Sequence, residues 1–274
     1  MILIMKETPE LDLPTVVRNA DAVLVLAGAG LSAEMGIPVY WTGDDATYGN
    51  EKSVNGYTAL EHANAMLWGH DTKAQLEYFK GLYAHMESLD FSNSVYADLL
   101  TLLKDKQYFV ATSNVDSAFL RAGFDEDKLF EVHGAYRRSQ CLIDPNHGLF
   151  ETPVGSDAIC PVCGMIARPN VLFFNDIWIY AKAIRKQEAE YNKFVKRVLP
   201  HAKNPLILEF GVGTTVPRIR QMGNGLWGNN FRAPYVHVNK EPRPEFLYGD
   251  VKSKNHAPEL WVQSGAWDAI KSWA

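Results

Sequence analysis

Several kinds of residue are scarce in this 274-residue chain, and each shortage excludes something. There are only three cysteines, too few for a disulfide framework, and two of them form a C-x-x-C. That pattern points to a reduced compartment and a metal. No apolar run reaches the roughly 20 residues needed to cross a bilayer. Residues 1–7 are too short in their apolar part, and too quickly acidic, for a secretion signal. An excess of positive charge is missing as well. The net charge of -5 leaves no bulk electrostatic attraction for nucleic acid. The expectation is a cytoplasmic protein that contacts neither nucleic acid nor membrane. No internal repeat or low-complexity stretch is present, and a 47% hydrophobic content suffices for a packed core.

The most informative stretch is residues 108–134. The apolar, β-prone run Tyr108-Phe109-Val110-Ala111 stops abruptly at Thr112-Ser113-Asn114-Val115-Asp116. A buried strand ending in small polar side chains sets them at the carboxyl edge of a sheet, where open α/β sheets bind ligands. After a second short apolar run comes His133-Gly134. An amide, a carboxylate and an imidazole at neighbouring strand ends can orient a substrate and move a proton.

A further apolar run, Val23-Leu24-Val25-Leu26-Ala27, leads into Gly28-Ala29-Gly30-Leu31-Ser32 and then Gly36-Ile37-Pro38. Glycines there let the backbone approach a phosphate, and a following helix start offers free N–H groups. Gly36 falls at the wrong spacing for the dehydrogenase fingerprint. No second strand ends in the acidic residue that would hold an adenosine ribose. The loop suggests a dinucleotide or phosphate but argues against ordinary hydride transfer.

Together these motifs resemble those of the sirtuins, the family that consumes NAD to remove acyl groups from lysine. The glycine loop with Gly36-Ile37-Pro38 is similar to the first NAD motif of that family. Thr112-Ser113-Asn114-Val115-Asp116 is similar to its Thr-Gln-Asn-Ile-Asp, with Ser113 in place of glutamine, and His133-Gly134 matches its His-Gly. Cys160-Pro161-Val162-Cys163, Arg168-Pro169-Asn170-Val171-Leu172-Phe173-Phe174, Gly211-Val212-Gly213-Thr214-Thr215 and Val238-Asn239 follow in the family's order. The chain departs from the pattern at Val39-Tyr40-Trp41, where most sirtuins carry Asp-Phe-Arg. Trp41 therefore puts the ordinary deacylase geometry in question.

The resemblance implies an α/β fold. A Rossmann-like parallel sheet with helices on both faces would carry a smaller helical and zinc-ribbon-like insert. Residues 1–40, 95–136 and 167–274 would form the NAD-binding domain, 41–94 a cofactor loop with a helical insert, and 137–166 the cysteine-containing insert. NAD would be the co-substrate. Gly28, Ala29, Gly30, Ser32, Ile37, Pro38, Ser113, Asn114, Val115, Asp116, Gly211, Val212, Gly213 and Asn239 would contact it. Asp116 would take the nicotinamide carboxamide, Asn114 a ribose and an ordered water, and Asn239 the adenosine ribose. His133, with Asn114, would be catalytic, as general base on a ribose hydroxyl. Val171 and Phe174 would wall the channel for an acyl-lysine of a protein or peptide. The expected activity is deacylation yielding nicotinamide and O-acyl-ADP-ribose. The alternatives are protein ADP-ribosylation, or an NAD-hydrolysing or NAD-sensing module.

Cys141, Cys160 and Cys163 make three thiolates of a four-ligand structural zinc site, where the family supplies a fourth cysteine. Here only Asp144 and His147 lie near enough in sequence, and histidine is the better zinc ligand. Elsewhere, residues 57–86 read as helical, with one apolar stripe at Ala59, Ala63, Met66 and Leu67 and another at Leu76, Phe79, Leu82 and Tyr83, and with His62, His70 and His85 solvated or hydrogen-bonded. Residues 92–104 read as a helix with Tyr96 facing inward, and 182–199 as an amphipathic helix with Ala189, Phe194 and Val198 on its apolar side.

Overall fold

The computed structural model describes residues 12–37, 55–214, 216–228, 232–244 and 257–274. In chain order α1 (Leu13–Asn19) leads into β1 (Ala22–Ala27) and the short α2 (Ala29–Ala33). Then come α3 (Ala59–His62), α4 (Thr72–Ser88), α5 (Val95–Leu103), β2 (Gln107–Thr112), α6 (Ala118–Arg121) and β3 (Leu129–Glu131). The strands β4 (Gly134–Cys141), β5 (Leu149–Glu151) and β6 (Ala167–Val171) precede α7 (Lys182–Lys193) and β7 (Pro205–Phe210). The chain closes with α8 (Arg218–Gly228), β8 (Tyr235–Asn239), β9 (Glu259–Gln263) and α9 (Ala266–Trp273).

Six strands form a parallel sheet in the order β3-β2-β1-β7-β8-β9. The chain builds outward from β1 to one side and then from β7 to the other. The order therefore reverses beside β1, which is where such sheets open a binding crevice. All six residues of β1 are buried because both faces of the sheet are covered, which explains an unbroken apolar run in place of alternation. Val23, Val25 and Ala27 face a core shared with α1, α5 and α9, whereas Ala22, Leu24 and Leu26 face one shared with α7. The helices-on-both-faces architecture expected from the sequence is thus present.

Side-chain caps set the helix starts on the first face. Thr58 and Glu61 form a reciprocal capping box on α3. Asp71 accepts from the Ala74 amide at the start of α4, and Ser94 from the Ala97 amide at the start of α5.

The small antiparallel sheet has the order β5-β4-β6. Its first strand begins at Gly134, directly after His133, and its last ends at Val171, so the insert's strands abut the cleft.

Two helical expectations need correction. Residues 57–86 do not form one helix. Between α3 and α4 the chain forms a bridge, in which the Ala65 amide donates to Phe174 and the Phe174 amide donates to Ala63, each at 2.9 Å. That tertiary pairing outweighs the local helical pattern. His62, expected to be solvated or hydrogen-bonded, is fully buried and stacks on Tyr78 at 4.1 Å. In residues 182–199 the regular helix stops at Lys193 and gives way to a wider π turn, Phe194–Val198. Gln187 and Tyr191 face inward, and Ala189 is exposed.

Candidate active site

Two glycine-bearing strand ends meet at the point where the sheet order reverses. The Gly28 amide donates to Phe210 and the Gly30 amide to Gly211, both at 2.9 Å. A Cβ on Gly28 would lie 2.7 Å from the Gly211 carbonyl oxygen, and one on Gly211 would lie 2.3 Å from the Leu31 nitrogen. Gly211 also has a φ of +59°, in the left-handed region. Only glycine allows the two backbones to touch here and close the floor of the crevice. Val212 is buried beside them, with its carbonyl held by Arg220 and by the Asn239 amide at 3.1 Å. Gly213 is exposed, Ile37 is buried below α2, and Ala29 is exposed at the first turn of that helix.

The polar end of β2 lies over this floor. The Ser113 amide donates to Ala27 at 3.1 Å, and the Asn114 amide to the Thr112 hydroxyl at 3.0 Å. The side-chain nitrogen of Asn114 donates to the Gly28 carbonyl (3.0 Å) and to the Ser32 hydroxyl (2.8 Å). Ser32 donates in turn to Asp116 at 2.5 Å, and the other Asp116 oxygen accepts from the Ala118 amide at 2.9 Å. The Val115 carbonyl accepts from the Tyr136 amide, tying this loop to β4. Asp116 is 4% exposed, and burial pushes its carboxyl above the usual range.

His133 stands at the matching position one strand over, since β2 and β3 pair Thr112 with Glu131 and the Val132 amide donates to Thr112. Burial lowers its imidazole below the ordinary value, and the charge of Arg218 adds to this. A hydrogen bond to the Ser113 backbone opposes both. The ring is therefore neutral near pH 7, the form a general base requires. The next residue, Gly134, has a φ of +80°, and a Cβ there would lie 2.1 Å from the Asn170 carbonyl oxygen. This close approach pairs Gly134 with Val171 and lets the Leu172 amide donate to His133 at 2.8 Å. Val171 is buried there, while Phe174 is 45% exposed on the bridge to Asn64.

Cys141, His147, Cys160 and Cys163 come together at the end of the small sheet, with all four ligand atoms within 4.8 Å of one another. Sequence spacing left Asp144 and His147 open as fourth partner, and geometry selects the histidine. Its Nδ1 lies 3.5 Å from the Cys160 sulfur, while Asp144 sits behind the ring at 3.7 Å from Nε2. Burial pushes the Cys160 thiol up, but hydrogen bonds from the Cys163 and Val162 backbone and from His147 bring it down to about 6. Three thiols and one imidazole suit a tetrahedral structural zinc.

Pro38 and the whole loop with Trp41 lie outside the described residues, as does Thr215. Motif reading passed over three buried groups near the cleft. Tyr96 on α5 approaches the Ser32 hydroxyl to 2.8 Å. Glu131, two residues before His133, pairs with Arg137 at 3.0 Å. Glu209 and Arg220 pair at 2.8 Å beneath Val212.

Gly28 and Gly30 of the glycine floor, and the histidine and amide–carboxylate pair on adjacent strand ends, lie within the part of the chain that a family model recognises. The family model described as "Sir2 family" matches residues 28–195, more than half of the chain. The chain belongs to the Sir2 family. A Staphylococcus aureus "Protein ADP-ribosyltransferase" is 25% identical over 251 residues, covering 84% of this chain and 77% of the relative. A Pseudomonas aeruginosa "NAD-dependent protein deacylase 2" is 29% identical over 221 residues, covering 75% and 80% respectively. A solved Sir2 homologue in complex with NAD shares the fold, with a TM-score of 0.69 at 18% identity. It covers 97% of this chain and 93% of that one. Among the described residues, no helix of this Sir2-family protein is long and apolar enough to cross a membrane.

Proposed function

We propose that this Sir2-family protein is an NAD-dependent protein lysine deacylase, releasing nicotinamide and passing the acyl group to ADP-ribose. The carrying observation is the half-buried His133 at the strand end beside Asn114 and Asp116, where burial lowers its imidazole and favours the neutral form. NAD would supply an activated ribose carbon from which nicotinamide departs. Gly28, Ala29, Gly30, Ile37 and the 211–213 backbone would line its phosphates, and Asn239 the adenosine end. Asn114 would accept a hydrogen bond from a ribose hydroxyl or an ordered water, and Asp116 would bind the carboxamide. His133 would take a proton from a ribose hydroxyl as the acyl oxygen attacks. Polar groups held in a crevice with little water stabilise a developing positive centre without reorganising. Val171 and Phe174 would face the acyl-lysine, and the four-residue cluster would hold a structural zinc that keeps β4 and β6 in place. Three cysteines without a disulfide between them suit a reducing compartment such as the cytoplasm.

A second reading is transfer of ADP-ribose to a protein acceptor. It is favoured by the similarity to the Staphylococcus protein over 84% of this chain. Mass spectrometry of the products from NAD and an acetyl-lysine peptide separates the two. Deacylation gives free lysine and O-acyl-ADP-ribose, and His133→Ala abolishes both while NAD still binds. Nicotinamide release with the acyl group untouched overturns the first reading. A His133→Ala variant that retains full turnover overturns the assigned base.

A further inference from the structure

We propose that Tyr96 is a positioning residue of the cleft. Its hydroxyl donates to Ser32 and thereby sets which atoms of Asn114 and Asp116 are presented to the ligand. The inference rests on the NAD-consuming reading above, but its geometry is independent of which acceptor the enzyme uses.

The proton order follows from what each atom can do. The Gly28 carbonyl only accepts, so the Asn114 atom 3.0 Å from it is the amide nitrogen. The second proton of that nitrogen points to the Ser32 oxygen at 2.8 Å and occupies one of its two lone pairs. The Ser32 hydroxyl has a single proton, and it goes to the Asp116 oxygen at 2.5 Å, which accepts it as a carboxylate. Tyr96 lies 2.8 Å from the same oxygen, and only the second lone pair is left for it. Tyr96 must therefore be the donor. Its phenol is fully buried, and burial together with the Asp116 charge holds its ionisation well above 10, so the proton is always present.

Three consequences follow. The Ser32 hydroxyl is saturated and serves the cofactor through its neighbours, not by direct contact. Both protons of the Asn114 amide are consumed, which leaves its carbonyl oxygen as the group free to accept from a ribose hydroxyl or water. Asp116 is held through both oxygens, by Ser32 and by the Ala118 amide. Tyr96 itself cannot swing away, because its ring is packed edge-on against Phe119 at 4.9 Å and Phe91 at 5.8 Å.

The test is a double-mutant cycle of Tyr96→Phe with Ser32→Ala, reading NAD affinity by calorimetry and nicotinamide release by mass spectrometry. Phenylalanine keeps the ring packing, so the fold is retained. Losing one neutral hydrogen bond should slow release roughly 2- to 13-fold, mainly in kcat with little change in KM for NAD. If Tyr96 acts through Ser32, its loss has no further effect once Ser32 is alanine. Wild-type turnover in Tyr96→Phe overturns the proposal, as do strictly additive effects in whichever of the two readouts responds. Leu103→Val, on the same helix but away from the hydroxyl, controls for packing, and an equal kcat loss there also overturns it. A wild-type chain that binds NAD but releases no nicotinamide sinks the NAD-consuming reading and this proposal with it, whereas unchanged release in Tyr96→Phe sinks the proposal alone.

Discussion

Two buried polar clusters flank the crevice, and they are built on opposite electrostatic plans. The cluster beneath β1 and β2 holds a single carboxylate, Asp116, among neutral donors from Ser32, Asn114 and Tyr96. The cluster beneath β7, β8 and β9 joins Glu209 to Arg220, His237 and Tyr235, and continues through His237 to Glu259 and Arg243. Burial alone would raise Glu209, but the charges and hydrogen bonds of His237 and Arg220 bring it down to about 2. Both nitrogens of His237 face carboxylates, at 2.9 and 3.1 Å, so both must donate and the ring is an imidazolium. Without such partners, Asp116 is driven the other way, above its usual range. The first cluster keeps its carboxylate available to a ligand. The second spends its charges on one another and holds the Val212 carbonyl still through Arg220. Location at the sheet edge is shared, so the presence of cationic partners separates a reactive group from a rigid support.

Breaking the second cluster should have the largest effect. Arg220→Met would leave Glu209 buried with fewer partners and release the Val212 carbonyl. We expect a loss of about 3–5 kcal/mol in urea-induced unfolding, together with weaker NAD binding. A loss below about 1 kcal/mol, in the range of an exposed ion pair, would mean that water replaces the missing charge.

A smaller effect sharpens the contrast through pH. The folded value of Glu209 lies below its unfolded one, so its stabilisation is full above about pH 4.5 and is lost as pH falls toward about 2. His237 is raised above its ordinary value by the two carboxylates, burial opposing them. Its contribution is therefore complete below its unfolded value and disappears as pH rises through the folded one. Asp116 has the opposite sign to Glu209. Its folded value is raised, so ionising it costs stability as pH climbs from the ordinary aspartate range through the folded value. Asp116→Asn should flatten that limb and leave the Glu209 limb intact, while cutting nicotinamide release by about 10²-fold. Unfolding free energy measured from pH 3 to 8 on both proteins checks this. An Asp116→Asn profile parallel to that of the parent chain as pH climbs from the ordinary aspartate range would show that the carboxylate titrates normally.

The smallest expected effect is the loss of one neutral hydrogen bond in Tyr96→Phe. It tests the first cluster without disturbing the second.

Much of this site could be read from local sequence. An apolar run covered on both faces must be a buried strand, and small polar or glycine residues at its end mark the open edge. The strand ends at Gly28, Thr112 and Gly211 were therefore legible, as was the Asn114, Asp116 and His133 set. The three cysteines were also legible, because thiolate spacing constrains a metal site locally. Tyr96 was not. As a sequence feature it is one more inward residue on an amphipathic helix, and its partner Ser32 lies 64 positions away. The break between α3 and α4 was hidden for the same reason, because the bridge that causes it is made with Phe174.

The sequence by itself determined where strands end and which of those ends carry glycine or small polar residues, because burial period and turn chemistry act over a few residues. Ligand chemistry in the sequence already favoured His147 over Asp144, but only the tertiary structure brought its ring nitrogen within 4.8 Å of all three thiols. It also decided that Tyr96 supplies the last donor to Ser32, and that Glu209 is neutralised where Asp116 is not. Hydrogen-bond saturation and charge compensation depend on atoms within about 3 Å, and the chain brings those atoms together only when it folds.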